Sequence, residues 1–288
     1  MKQGNIIKKT AIFMMLTIIL FYFLCPVLWL FLSSIQPEGE LTVVPPNWFP
    51  EKITIDNFRS FFDKELRDKI AVPSAASEVT SSLLNSTIIA IFVVISNLLI
   101  AIPAAYTLAR FSSKSLSFLY IILLIFRMVP AVAIIIPFYF ICRATGLLGN
   151  VSSVILGHSI FTLPIIVWIL RSFFVNIPIE IEESALLDGC TRFTSIIHVV
   201  LPIVTPGLIA AAVYAFMFSW NEFFFSLVLT AGSQNKTVPV IASYFASDII
   251  IKYGVMNAAA IVAIIPPVVL ALIFSSYLRK GLTAGYGR

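Results

Sequence analysis

Charge is what this sequence lacks. Only 11% of its 288 residues are Asp, Glu, Lys or Arg, while 59% are apolar; a soluble domain carries about 25% charged residues. Nineteen basic and 14 acidic side chains cannot solvate a globule of this length, so a soluble enzyme is excluded. Cysteine is scarce: Cys25, Cys142 and Cys190 lie far apart and form neither a disulfide framework nor a metal-ligand spacing. The two histidines, His158 and His198, are isolated from each other and from cysteine. The sequence contains no nucleophile elbow and no G-x-x-x-x-G-K-[ST] phosphate loop. The net charge of +5 is spread along the chain, never more than two Lys or Arg together, so nucleic acid is not an expected partner. Positive charge flanking membrane spans explains it more simply. The Asn-x-Ser/Thr triplets at Asn85, Asn150 and Asn235 are what chance would supply.

What the chain has is long apolar runs. Six stand out: 11–32, 83–109, 117–141, 153–170, 207–229 and 257–278. About 20 apolar residues in a helix cross the roughly 30 Å hydrocarbon core. None of these runs alternates polar and apolar as outer-membrane strands do. The reading is an all-α polytopic membrane protein with six transmembrane helices. Lys2, Lys8 and Lys9 precede the first run, which is too long for a signal peptide and is read as a retained anchor. With the N-terminus inside, the inner segments hold ten basic residues against the four acids Glu180, Glu182, Glu183 and Asp188. The outer segments hold eight basic residues and nine acids, so the positive-inside bias favours cytoplasmic termini. The expected order is a cytoplasmic N-terminus (1–10), a first span (11–33), an extracytoplasmic loop (36–82), a five-helix core (83–278) and a cytoplasmic tail (279–288).

Three connecting segments exceed turn length. In 36–82, Pro37, Pro45, Pro46 and Pro50 are followed by Ile55, Phe58, Phe61 and Phe62 at helical spacing, which predicts an amphipathic helix on the membrane surface or facing an external partner. The outer loop 230–256 shows no obvious internal structure; it is either functional or a plain connector. The segment 171–206 faces the cytoplasm. Asn176 is its expected helix cap, with Pro178 in the first turn and Glu180, Glu182 and Glu183 at the positive end of the helix dipole. Gly189 ends or bends that helix. A second helical stretch, 192–200, runs up to Leu201-Pro202. Ala185 and Gly189 share one helical face and leave a smooth patch, with Glu183 beside it available to a basic partner. The hairpin is either packing or a docking surface.

Two charges fall inside the runs, Arg127 and Glu222. A charge at the bilayer centre costs about 2.5–3.5 kcal/mol on insertion scales, so each must face protein or water. They are either members of a buried polar network, with a direct Arg127–Glu222 pair as one form of it, or lining of a pathway. In the second case Trp220 would offer it an aromatic face and Asn221 and Glu222 polar groups. Pro26, Pro103, Pro130, Pro137, Pro164, Pro266 and Pro267 fall in the runs and kink them; any one such kink is tolerated where neighbours satisfy the freed carbonyls, and the set suits a bent, splayed bundle.

At 171–206 the sequence resembles a known family. Glu183-Ser184-Ala185, three residues, Gly189, nine residues, Val199, one residue and Leu201-Pro202 is similar to the EAA loop of permease subunits of ATP-binding-cassette importers. Ser184 and Val199 depart from the family's Ala and Ile. Arg127-Met128-Val129-Pro130 with Ile136-Pro137, Phe173-Phe174, Asp188-Gly189, Trp220-Asn221-Glu222-Phe223 and Gly281-Leu282-Thr283-Ala284-Gly285 resemble the maltose-type, MalG-like subunits of carbohydrate uptake.

The resemblance implies a type I importer permease fold with a cytoplasmic coupling helix in a prokaryotic inner membrane. It implies a heterodimer with a second permease subunit, two ATPase subunits, an extracytoplasmic sugar-binding protein and surrounding membrane lipid. It places ATPase coupling on Glu183, Ser184, Ala185, Asp188, Gly189, Leu201 and Pro202, with Trp220, Asn221, Glu222 and Arg127 as the candidate substrate pathway. ATP and Mg would belong to the partner ATPases, and this chain would bind no cofactor or metal and catalyse nothing. An importer permease for another solute, such as a phosphorylated polyol, is the nearest alternative. A secondary transporter would need ionisable relays and repeated halves, which the sequence does not display. A scaffold would leave the hairpin spacing unexplained.

Overall fold

The computed structural model describes residues 2–44, 47–70, 72, 74–247 and 251–283, with side chains for 8–44, 47–70, 72, 74–247 and 251–275. The described residues contain helices and no strand. The main helices are α1 (Lys2–Ser34), α2 (Val79–Arg110), α3 (Lys114–Phe126), α4 (Ala131–Ala144), α5 (Val151–Val175), α6 (Ile179–Leu187), α7 (Arg192–Ile203), α8 (Thr205–Asn221), α9 (Phe224–Leu229), α10 (Val238–Ser247) and α11 (Tyr253–Thr283). Among the described residues, four stretches are long and apolar enough to span continuously: Lys8–Ser34, Ser74–Arg110, Val151–Val175 and Tyr253–Ser275. Two further pairs qualify as broken spans, α3 with α4, bent by 98°, and α7 with α8, bent by 77°.

The third expected span is therefore not one straight helix. Arg127 closes α3, and Pro130, with its fixed φ and no N–H, starts α4. Pro26, Pro103, Pro137, Pro164, Pro266 and Pro267 do lie inside helices.

The chain forms two compact units, Met1–Thr80 with Ile241–Ile265, and Ser81–Val240 with Pro266–Arg288. In the first, the single amphipathic helix expected around 55–64 is instead two short helices, Asp56–Arg59 and Lys64–Lys69. Asp63 interrupts the pattern, because its carboxylate caps the second helix through Leu66 N–H at 3.1 Å. Phe61 is buried while Phe62 and Ile55 are exposed, so the aromatic set does not share one face. Asn57 donates to the carbonyls of Ser34 and Gln36, both at 2.9 Å, and ties this segment to the end of α1. Glu38 accepts the N–H groups of Tyr253 and Gly254 at 3.0 Å and caps α11. Gly254 is required there, since a Cβ would meet the Asn57 amide at 2.7 Å. α11 thus begins earlier than the expected residue 257. The loop 230–256 is not structureless, because α10 occupies part of it.

The second unit is built on close helix approach. Ala101 and Ala105 of α2 and Ala211 and Ala215 of α8 are buried with Ile166, Leu170 and Phe174 of α5. Small residues four apart let backbones pack tightly where lipid supplies no hydrophobic drive. A second apolar cluster joins Ile89 and Val93 of α2, Ile135 and Cys142 of α4, Val154 of α5 and Phe225 and Leu229 of α9. The segment after α9 is pinned: Asn85 donates to the carbonyls of Gln234 and Lys236, and Asn235 donates to that of Gly149 at 2.8 Å.

Candidate functional site

The hairpin 171–206 is built from α6 and α7. Asn176 is not its cap: it ends α5, donating to the Ser172 carbonyl at 2.8 Å, and Pro178 starts α6 without a capping side chain. The helix ends as the glycine predicts. Gly189 adopts φ 89°, Gly189 N–H reaches the Leu186 carbonyl at 3.1 Å, and Cys190 N–H reaches that of Ala185 at 3.0 Å, a Schellman closure that favours a residue without Cβ. The second stretch runs beyond the expected 200 to Ile203, capped by Thr191, with a wide π turn over Ile196–Val200. Pro202, which has no N–H to donate, follows that turn.

The three glutamates of α6 do not act as one dipole complement. Glu182 is buried and accepts from Arg110 Nε at 2.7 Å, from Arg110 Nη2, and from the Tyr106 hydroxyl at 2.8 Å. Arg110 and Tyr106 stand in the last turns of α2, so a guanidinium fork and a phenol fasten α6 to the end of a span. Burial in this pocket holds the Tyr106 ring against Phe174, edge to face at 5.8 Å. Nearby, Arg192 lies over the Phe111 ring at 5.6 Å.

The smooth face expected from Ala185 and Gly189 is only half present. Ala185 is buried in the chain, on the same side as Glu182, while Gly189 is exposed with open space around it. Every residue of α6 except Glu182 and Ala185 is exposed, Glu183, Ser184 and Leu187 among them, as is Asp188 just after it, with Leu187 88% exposed. Leu201 packs on the core and Pro202 is exposed.

The second constellation lies where 207–229 breaks. α8 ends at Asn221, Glu222 is extended (φ −72°, ψ 123°) and α9 begins at Phe224. The Glu222 carboxylate accepts Phe225 N–H at 2.8 Å and Ser226 N–H at 3.1 Å, supplying the acceptors that a helix start needs. Opposite stands His158 of α5, fully buried: its Nε2 faces Glu222 Oε2 at 3.0 Å and Ser226 Oγ at 3.2 Å, and its Nδ1 faces Ser219 Oγ at 2.8 Å. A proton on Nε2 toward the carboxylate leaves Nδ1 to accept the Ser219 hydroxyl. One turn on, Thr162 donates to the His158 carbonyl at 2.9 Å and accepts from Asn97 of α2.

Arg127 and Glu222 do not pair. Arg127 donates to the Phe161 carbonyl at 3.2 Å and is exposed, whereas Glu222 is taken by His158 and its own helix. Trp220 does not offer its face to a cavity: it is buried and stacks on Phe216, centroids 5.6 Å apart and 12° from parallel. Asn221 is exposed and donates to the Met217 carbonyl at 2.7 Å. Sequence reasoning passed over His158, Arg110, Tyr106 and the separate role of Glu182. The one signal was an imidazole in an otherwise apolar run. Among the described residues, no group of His, Cys, Asp or Glu could hold a metal ion.

Comparison with known proteins gives consistent matches. The model of the family described as binding-protein-dependent transport system inner membrane component matches residues 97–284. Over 278 residues the chain is 32% identical to the sulfoquinovosyl glycerol transport system permease protein SmoH of Agrobacterium fabrum, covering 96% of this chain and 93% of that one. It is 33% identical over 271 residues to the trehalose transport system permease protein SugB of Mycobacterium tuberculosis, covering 93% and 94%. A chain in the crystal structure of a bacterial transporter that imports the acidic polysaccharide alginate shares the fold, with a TM-score of 0.77 at 20% identity over 96% of this chain and 98% of that one.

Proposed function

This chain belongs to the family of binding-protein-dependent transport system inner membrane components, and from that premise we propose that it is the sugar-translocating permease subunit of an ATP-driven importer, moving a carbohydrate by alternating access. Relatives named for carbohydrate transport, aligned over nine-tenths of both chains, support the solute class. The observation that carries the mechanism is the fastening of α6 to α2 through Glu182, Arg110 and Tyr106. A short helix held rigidly on a span, with Glu183, Ser184, Leu187 and Asp188 turned outward, passes a push from a docked partner directly into α2.

In this reading α6 is the coupling helix, and Glu183, Ser184, Ala185, Asp188, Gly189, Leu201 and Pro202 form the ATPase-coupling elbow on the cytoplasmic side. Ala185 and Leu201 serve from within by shaping it. Both termini are cytoplasmic. A second permease subunit completes the pathway, two ATPase subunits use ATP and Mg, a binding protein delivers the sugar from outside, and lipid surrounds the assembly. This chain contributes no catalysis and binds no cofactor itself. Arg127, Asn221 and Glu222 belong to the pathway region, with Trp220 as packing behind it.

Co-purification with the ATPase, followed by ATPase stimulation across a panel of sugars, tests the assignment. Gly189→Glu is expected to leave the protein in the membrane yet abolish stimulation. Unaided solute movement by the purified chain in vesicles would overturn it, as would an elbow that never crosslinks to an ATPase.

A further inference from the structure

His158 is a fully buried titratable side chain that the coupling mechanism leaves unused, and its geometry is specific. The apolar run 207–229 is long enough for one helix, yet it breaks at Glu222 and Phe223. Inside a membrane the N–H groups freed by such a break need partners, and the Glu222 carboxylate supplies them for Phe225 and Ser226. The imidazole of His158 bonds both sides of the break: Ser219 belongs to the helix before it, Glu222 and Ser226 to the break itself and the helix after it. At the neighbouring Gly157 a Cβ would meet Phe225 Cδ1 at 2.8 Å and Leu229 Cδ1 at 3.3 Å, so α9 is seated directly on α5 at this turn. The two halves are thus stapled to α5 in one relative orientation.

That orientation decides what the break presents. Glu222 is turned inward, while Asn221 and Phe223 on either side of it are exposed. Unwound backbone beside an uncapped amide does not face lipid; it faces water or another protein. The Asn221 amide donates one hydrogen to Met217, which leaves its second N–H and its carbonyl oxygen for a ligand. An amide next to an aromatic face suits a solute with hydroxyls on its edges and an apolar ring face.

We propose that His158 is a positioning residue for transport, holding Glu222 so that the break keeps Asn221 and Phe223 turned toward a hydroxyl-rich solute in the pathway. The proposal rests on the carbohydrate-importer reading. It is tested in vesicles holding the complete complex and its binding protein, with the saccharide that most stimulates ATPase activity of the unsubstituted complex. The readout is saccharide moved per ATP hydrolysed, a ratio that loss of folded protein does not change.

Asn221→Ala and His158→Leu are each expected to lower this ratio about tenfold while ATP hydrolysis persists, the mark of a lost productive-state interaction. His158→Gln, which restores an N–H donor to Glu222, is expected to recover it to within about threefold. An unchanged ratio in Asn221→Ala or in His158→Leu overturns the proposal, as does a Gln variant no better than Leu. If His158→Leu fails to assemble, the exposed positions decide: Asn221→Ala and Phe223→Ala must both lower the ratio. If no saccharide stimulates the unsubstituted complex, the carbohydrate reading fails, a result distinct from stimulated uptake that ignores these substitutions.

Discussion

Two glutamates are gripped by basic side chains from other helices, and the grips differ in kind. Glu182 is held by the Arg110 guanidinium and the Tyr106 hydroxyl, both from the end of α2. Its ion pair is nearly buried, with both side chains 9% exposed. Glu222 is held by an imidazole and by the backbone of the helix that it starts. The first carboxylate joins two helices that the chain could otherwise separate. The second replaces main-chain bonding where a helix stops and restarts. A charge near a helix end can therefore act as a fastener between elements, whereas a charge within an apolar run survives by becoming part of the backbone's own hydrogen bonding.

Removing one partner from each grip tests this contrast. Arg110→Ala strands Glu182 as a buried carboxylate, and breaking such a pair from one side costs about 3–5 kcal/mol. The thermal midpoint in detergent should fall steeply and the ATPase should no longer co-purify; a parental midpoint would show that α6 is not held by this pair. Glu222→Gln keeps one acceptor oxygen and the shape but loses the charge-assisted bonds, a cost of about 1.5–3 kcal/mol in the same melt. An effect larger than that of Arg110→Ala would reverse the contrast. Gly189→Ala tests the closure of α6 apart from its anchor. Open space surrounds the position, so the cost is the left-handed backbone alone, roughly 1–2 kcal/mol, with ATPase association retained. Tyr106→Phe removes a single hydrogen bond while Arg110 still holds Glu182, so a loss of about 0.5–1.5 kcal/mol is expected. A Tyr106→Phe loss matching Arg110→Ala would shift the anchoring role to the phenol.

Much of the architecture was legible in the residues. The apolar runs placed the helices, Gly189 placed the end of α6, and the EAA-like spacing pointed to an importer permease. The misses share a cause. Asn176 satisfies the rule for a helix start equally well when it closes the preceding helix, and only the path of the chain distinguishes the two. Phe58, Phe61 and Phe62 have helical spacing, but the Asp63 cap restarts the helix beyond them. Glu180, Glu182 and Glu183 are chemically alike, and nothing in their order reveals that the middle one lies beneath Arg110. Glu222 was recognised as needing a partner, and Arg127 was a reasonable candidate by charge. The actual partner, His158, carries no obligatory charge and so gave no such signal. Trp220 sits next to the exposed Asn221, yet helical rotation turns its ring onto Phe216.

Hydropathy and local spacing belong to the chain itself, so the sequence alone determined that this protein is helical, lies in a membrane and carries an elbow between two of its runs. Which carboxylate is buried, which base holds it and where a run breaks depend on side chains brought together from helices far apart in the chain. Hydrogen bonds and ion pairs act over a few ångströms in space rather than along the sequence, and for that reason the tertiary structure alone decided them.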